Sequence, residues 1–170
     1  MRVTLSPHPD TPTRVVHWIA VEVAPLDDGM VHLRYVLAGE IARLAIPGVV
    51  SPVRTNDLWR HTCFEAFATR PGGYREFNFS PSTEWAAYDF DGYRQAMRDA
   101  DVPAPKIEVH RTQDFHVLFV AIDLSGDAPW RLALTAVIEE TNGVKSYWAL
   151  KHPPGKPDFH HADGFVLELP

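Results

Sequence analysis

The residues able to do chemistry gather in 57–93, DLWRHTCFEAFATRPGGYREFNFSPSTEWAAYDFDGY, which holds two of the five tryptophans, three of the five tyrosines, five of the nine phenylalanines and the only cysteine. Aromatic side chains alternate there with carboxylates and amides. In a β-strand, residues i, i+2 and i+4 share a face. Phe77 and Phe79 therefore fall on one side of their strand, and Tyr74, Glu76, Asn78 and Ser80 on the other. The preceding strand puts Trp59, His61, Cys63, Glu65 and Phe67 on one face and Thr62, Phe64, Ala66 and Ala68 on the other. A hairpin through Pro71-Gly72-Gly73 sets Glu65 and His61 beside Glu76 and Asn78. Such a face can hydrogen-bond a polar ligand while an aromatic ring stacks on it, as indole packs on the C–H face of a sugar.

The same residues support other chemistry. A buried polar cluster, each group satisfying another, would need no ligand. Glu65 and Glu76 could form the acid/base pair of a glycosidase. Cys63 and His61 have the composition of a thiol–imidazole dyad, although a buried structural cysteine is the simpler expectation. No P-loop, GxSxG or GxGxxG motif is present.

Trp59 and Trp148 are the stacking candidates, since each sits near a strand end beside basic residues: Arg60 and His61 for one, Lys151 and His152 for the other. The proline-rich run 152–161 carries His152, Asp158, His160 and His161, residue types that ligate transition metals. Its spacing matches no established zinc pattern, and adjacent His160 and His161 in an extended chain point opposite ways. One histidine is expected to anchor the loop and another to line a pocket rim. The candidate ligand-binding set is Trp59, Arg60, His61, Glu65, Tyr74, Glu76, Asn78, Trp148, Lys151, His152 and His160.

To position them the chain offers short alternating runs punctuated by 15 prolines and 10 glycines, the pattern of an all-β sandwich of two antiparallel sheets. Strands are expected near 2–5, 15–24, 30–38, 41–46, 59–69, 74–80, 84–90, 107–111, 115–124, 131–140, 144–151 and 164–169. Runs 115–124 and 131–138 are apolar on both faces and should lie centrally. Asn142-Gly143 suits a hairpin with positive φ. One short helix is expected over 91–100, capped by Asp91, with Ala96, Met97 and Ala100 on one side. No linker or repeat divides the chain, so 1–170 reads as one domain that buries about 70% of the surface its unfolded chain exposes.

A net charge of −6 with scattered basic residues disfavours nucleic acid. The longest apolar run, 117–122, is far short of the roughly 20 residues of a spanning helix. With no signal-like start and a single cysteine, the expected location is the cytoplasm. Nothing in the sequence sets an oligomeric state.

The strings LWRHTCFEAF (58–67), YREFNFSPSTEWAAYDFDGYR (74–94), SYWALKHP (146–153) and KPDFHH (156–161) resemble bacterial DOMON-like proteins, which are related to the family 9 carbohydrate-binding modules. The resemblance spans about 15–169, and Tyr-x-Glu-Phe-x-Phe-Ser-Pro at 74–81 is its most specific part. It implies a jelly-roll-type β-sandwich that binds sugars in the carbohydrate-binding branch, where two tryptophans clamp the ring, and haem in some DOMON branches. Haem needs an axial His or Met, and His61 and His152 are the positions available; without CxxCH it would be held non-covalently. The expected function is a non-enzymatic module binding a carbohydrate or sugar-containing small molecule, with no resident cofactor. The alternatives are haem or divalent-metal binding through surface histidines, and an enzyme using Glu65/Glu76 or Cys63/His61.

Overall fold

The computed structural model describes residues 1–125 and 130–169. Its strands are β1 (Arg2–Pro7), β2 (Val16–Pro25), β3 (Met30–Gly39), β4 (Cys63–Arg70), β5 (Gly73–Phe79), β6 (Trp85–Phe90), β7 (Arg98–Asp99), β8 (Lys106–Arg111), β9 (Phe115–Asp123), β10 (Arg131–Glu139), β11 (Lys145–Ala149) and β12 (Leu167–Glu168). All pair antiparallel, in the order β7-β6-β5-β4-β10-β11-β1-β2-β3-β9-β8, with β12 also on β10.

This is one continuous sheet rather than two separate ones. The reason lies in β1, whose Arg2–Leu5 part pairs with β2 while Ser6 and Pro7 pair with β11. The sheet then curls until its two halves face each other. Phe64 of β4 meets Tyr35 of β3 with ring centroids 5.2 Å apart. The Tyr35 hydroxyl donates to the Glu65 carbonyl at 2.8 Å, a backbone acceptor in the opposite half. Between the halves lies the main core, including Ile19, Leu33, Leu37, Phe77, Phe79, Leu118, Leu132 and Leu134.

Period-two alternation holds where it matters. Phe64, Ala66, Ala68, Phe77 and Phe79 join this inner core, and Phe67, Tyr74, Tyr88 and Phe90 form a second cluster on the outer face. The hairpin turns fall at glycines with left-handed backbone, Gly72 at φ 79° and Gly143 at φ 85°, where a side chain would be strained.

Several elements differ from expectation. Residues 91–100 form no helix: Arg94 (φ 53°) and Ala96 (φ 51°) are left-handed, which breaks any helical run, and only the two-residue β7 is regular. Ile41–Arg43, Leu58–Arg60 and Ala162–Gly164 are single 3₁₀ turns where strands were expected to begin or continue. β10 lies centrally with both faces buried, as its composition demands. β9 is covered on one face only and leaves Phe115 and Phe119 exposed.

Because Phe64 joins the two halves, Phe64→Ala should destabilise the fold by about 3–5 kcal/mol. Urea unfolding would show this as a lower midpoint at unchanged slope; a loss below about 1 kcal/mol would mean the halves do not depend on this contact.

Candidate ligand-binding cleft

The outer face of β6-β5-β4-β10-β11 carries the chemistry. Register aligns Glu65 with Asn78 and Thr135, Glu76 with Phe67 and Tyr88, and Val137 with Cys63 and Tyr147. Side chains at these positions project from the same face. Segments 91–97 and 156–160 and the turn holding Trp59 stand around it, leaving a cleft of about 570 Å³. That size falls within the usual range for small-molecule sites. Glu65 and Glu76 lie at its floor; Tyr88, Phe90, Tyr147, Phe159 and Trp59 supply aromatic wall, and Arg94, Met97, Lys156 and His160 complete the rim.

Asp158 knits the two loops together. Its carboxylate accepts from the Tyr93 hydroxyl at 2.8 Å, from Arg94 Nη2 at 3.0 Å and from the His160 backbone N–H at 3.1 Å. Burial opposes its charge, but the hydrogen bonds from Tyr93, Arg94 and His160 outweigh this and hold the carboxyl below its ordinary range.

His160 sits between Tyr74 and Glu76. The Arg94 N–H donates to the Tyr74 hydroxyl at 3.1 Å, and that hydroxyl lies 2.7 Å from His160 Nδ1. Tyr74 donating to Nδ1 leaves the imidazole proton on Nε2, which is 3.8 Å from Glu76 Oε2. Burial first, and then the Arg94 charge, push the His160 pKa down to about 4, so the ring is neutral at pH 7.

The floor carboxyls are shifted the other way. Glu76 is 5% exposed and accepts from Asn78 Nδ2 at 2.8 Å, yet burial raises its pKa to about 7. Glu65, 2% exposed, is raised well above its ordinary value by burial and then by the neighbouring Glu76 charge. Its Oε2 accepts from the Thr135 hydroxyl at 3.3 Å, whereas Oε1 is buried without a hydrogen-bond partner among the described residues.

Of the sequence candidates, Trp59, Glu65, Glu76 and His160 meet in this cleft, with Tyr74 behind His160 and Asn78 beneath Glu76. The others lie elsewhere. Arg60 and His61 border a more open depression of about 640 Å³, where His61 Nδ1 lies 2.7 Å from Glu139 Oε2. Trp148 is 3% exposed in the inner core, its indole N–H donating to Ser146 at 2.9 Å. Lys151 is exposed away from the cleft, and His152 Nε2 lies 2.8 Å from the Ser6 carbonyl.

The Cys63/His61 pairing does not form. Cys63 is fully buried with its thiol on the Phe64 carbonyl at 3.6 Å, its pKa raised by burial and then by Glu65, while His61 points outward from a turn. The histidines of 152–161 also part: His152 turns to Ser6, His160 enters the cleft, and His161 Nδ1 accepts from the Asp163 N–H. Among the described residues no group of three His, Cys, Asp or Glu is placed to hold a metal.

The structure is similar to that of a known protein. It matches a crystal structure of a putative carbohydrate-binding protein from Bacteroides uniformis, with a TM-score of 0.66 over 97% of this chain and 84% of that one. At 13% identity the likeness is one of fold. No family model matches the chain, and no curated protein does.

Tyr88, Phe90, Arg94, Met97, Tyr147, Lys156 and Phe159 line the cleft although none belonged to the candidate set. A signal for Tyr147 existed: the Asn-Gly hairpin pairs it with Val137 on the face of Cys63 and Glu65, and its neighbour Trp148 must then point inward.

The shifted groups give the fold a definite pH dependence. Glu65 and Glu76 keep their protons in the folded chain to higher pH than when unfolded, so raising pH above the ordinary glutamate range destabilises the fold. His160 and His116, both lowered to about 4, oppose this only below about pH 6.5, where the unfolded chain takes up their protons. The melting temperature should therefore drop by roughly 3–10 °C between pH 6.5 and 8.5. The double variant Glu65→Gln/Glu76→Gln should flatten that slope. A wild-type melting temperature that rises over this interval would contradict the assignment.

Proposed function

We propose that this protein is a non-enzymatic binding module for a carbohydrate or sugar-containing small molecule, held in the cleft over Glu65 and Glu76. The observation that carries the reading is the combination, in one concave site, of aromatic rings on its walls with buried carboxyl groups at its floor. Sugars match this pairing, with apolar C–H faces for the rings and hydroxyl donors for the carboxyl oxygens. The Bacteroides protein of similar fold supports it, and so does the resemblance of the sequence to DOMON-like proteins.

Trp59, 49% exposed at the mouth, is the stacking platform, with the Arg60 guanidinium 5.2 Å from its ring centroid. Tyr147, its ring 6.0 Å from Phe159, takes the role that the sequence alone would give to Trp148. A non-enzymatic role accords with the chemistry of the floor. Burial favours the protonated form of both carboxyls, which makes neither a ready nucleophile, and the thiol of Cys63 is fully buried.

Titration calorimetry against mono- and oligosaccharides should give binding at millimolar concentration or tighter. Trp59→Ala and Tyr147→Ala should each weaken it by roughly tenfold, the loss of one aromatic platform. No heat with any sugar, or a Soret band in the purified protein, would replace this reading.

A further inference from the structure

The polar atoms left open at the cleft floor are carboxyl oxygens. Glu65 Oε1 is buried with no hydrogen-bond partner among the described residues. Glu76 Oε2 lies 3.8 Å from His160 Nε2, beyond hydrogen-bond distance. Three of the nearby donors already have acceptors: Asn78 Nδ2 reaches Glu76 Oε1, Thr135 Oγ1 reaches Glu65 Oε2, and the Tyr88 hydroxyl goes to Asn56 at 2.6 Å. A ligand that meets both open oxygens with the two groups ionised must bring donors to each of them.

Charge points the same way. Glu65 and Glu76 are diagonal neighbours on β4 and β5, about 7–8 Å apart at this register. Arg94 does not neutralise them both, because its guanidinium is drawn to Asp158 at 3.0 Å. Around them stand the rings of Tyr88, Phe90, Tyr147 and Phe159, residue types whose π-face attracts cations.

We propose that the cleft recognises a protonated primary amine carried on a sugar ring, an amino sugar, with its ammonium seated between Glu65 and Glu76. An ammonium group supplies three donors and no acceptor, the complement of the open oxygens. Its charge relieves the mutual repulsion of the two carboxylates, so they ionise as it docks. The protons they lose pass to buffer. Arg94 and Lys156 on the loops, His160 and Tyr74 behind Glu76, and Tyr88 and Tyr147 on the flanking strands are the other titratable groups facing the floor. This rests on the sugar-binding reading and narrows it to one ligand class.

The test is calorimetry at pH 6.5 with glucosamine, glucose, N-acetylglucosamine and cyclohexylamine, repeated in buffers of different ionisation heat. Glucosamine should bind at least about tenfold more tightly than glucose or N-acetylglucosamine. Its apparent enthalpy should change with the buffer as protons are released. Glu65→Gln and Glu76→Gln, which keep side-chain shape, should each remove the advantage of the amine, in protein shown by circular dichroism to be folded. Glucose or N-acetylglucosamine binding as tightly as glucosamine would overturn the amine inference and leave the sugar reading standing. Cyclohexylamine matching glucosamine would uphold the ammonium seat and overturn its sugar half. No binding by any of the four would overturn both.

Discussion

Two carboxyl groups are held out of water on the outer face of a sheet whose inner face is the hydrophobic core, and the rest of the structure is arranged around that burial. A charged carboxylate in such a place is costly unless it is paired or neutralised. Here Asn78 and Thr135 each supply one hydrogen bond, and the remaining cost shows as raised pKa values. The neighbours of the pair make sense in these terms. His160 is kept neutral, Arg94 is turned toward Asp158, and the aromatic cluster of Phe67, Tyr74 and Phe90 excludes water from one flank.

The curl of the sheet makes this burial achievable. β4 and β5 are apolar on their inner side because they pack across the core against β3 and β9, and Tyr35 fixes the backbone of Glu65 by donating its hydroxyl to that carbonyl at 2.8 Å. The outer face of the same strands is then left to loops. Segments 91–97 and 156–160 close over part of it and are joined by Asp158, so they act as one wall. The floor is built on strands, which gives it precision, and the walls on loops, where side chains can be varied without disturbing the core.

Legibility in the sequence followed the range of the interactions. The alternation in 57–93 identified Phe64, Phe77 and Phe79 as core and grouped Glu65, Tyr74, Glu76 and Asn78 on the other face, because strand periodicity is a local rule. It extended too far at Trp59 and His61, where a 3₁₀ turn interrupts the strand and sends His61 to a different depression. A single step of parity separated Trp148 from Tyr147: the larger indole drew attention, but only its neighbour faces the cleft. Arg94 was hidden by an expected helix. Its left-handed backbone is stabilised by contacts to Tyr74 and Asp158, neither of which is near it in sequence.

The sequence by itself determined an all-β chain, the faces of its central strands and the hairpin turns at Gly72 and Gly143, since these depend on periodicity and on the backbone freedom of single residues. Tertiary structure decided that β1 would join both halves into one curled sheet, that His152, His160 and His161 would part, and that Glu65 and Glu76 would share a cleft with Tyr147, Phe159 and Arg94. Those outcomes depend on which distant segments meet once the core closes. The energy that selects them comes from burial and from hydrogen bonds between residues far apart in the chain, for which no local spacing carries a signature.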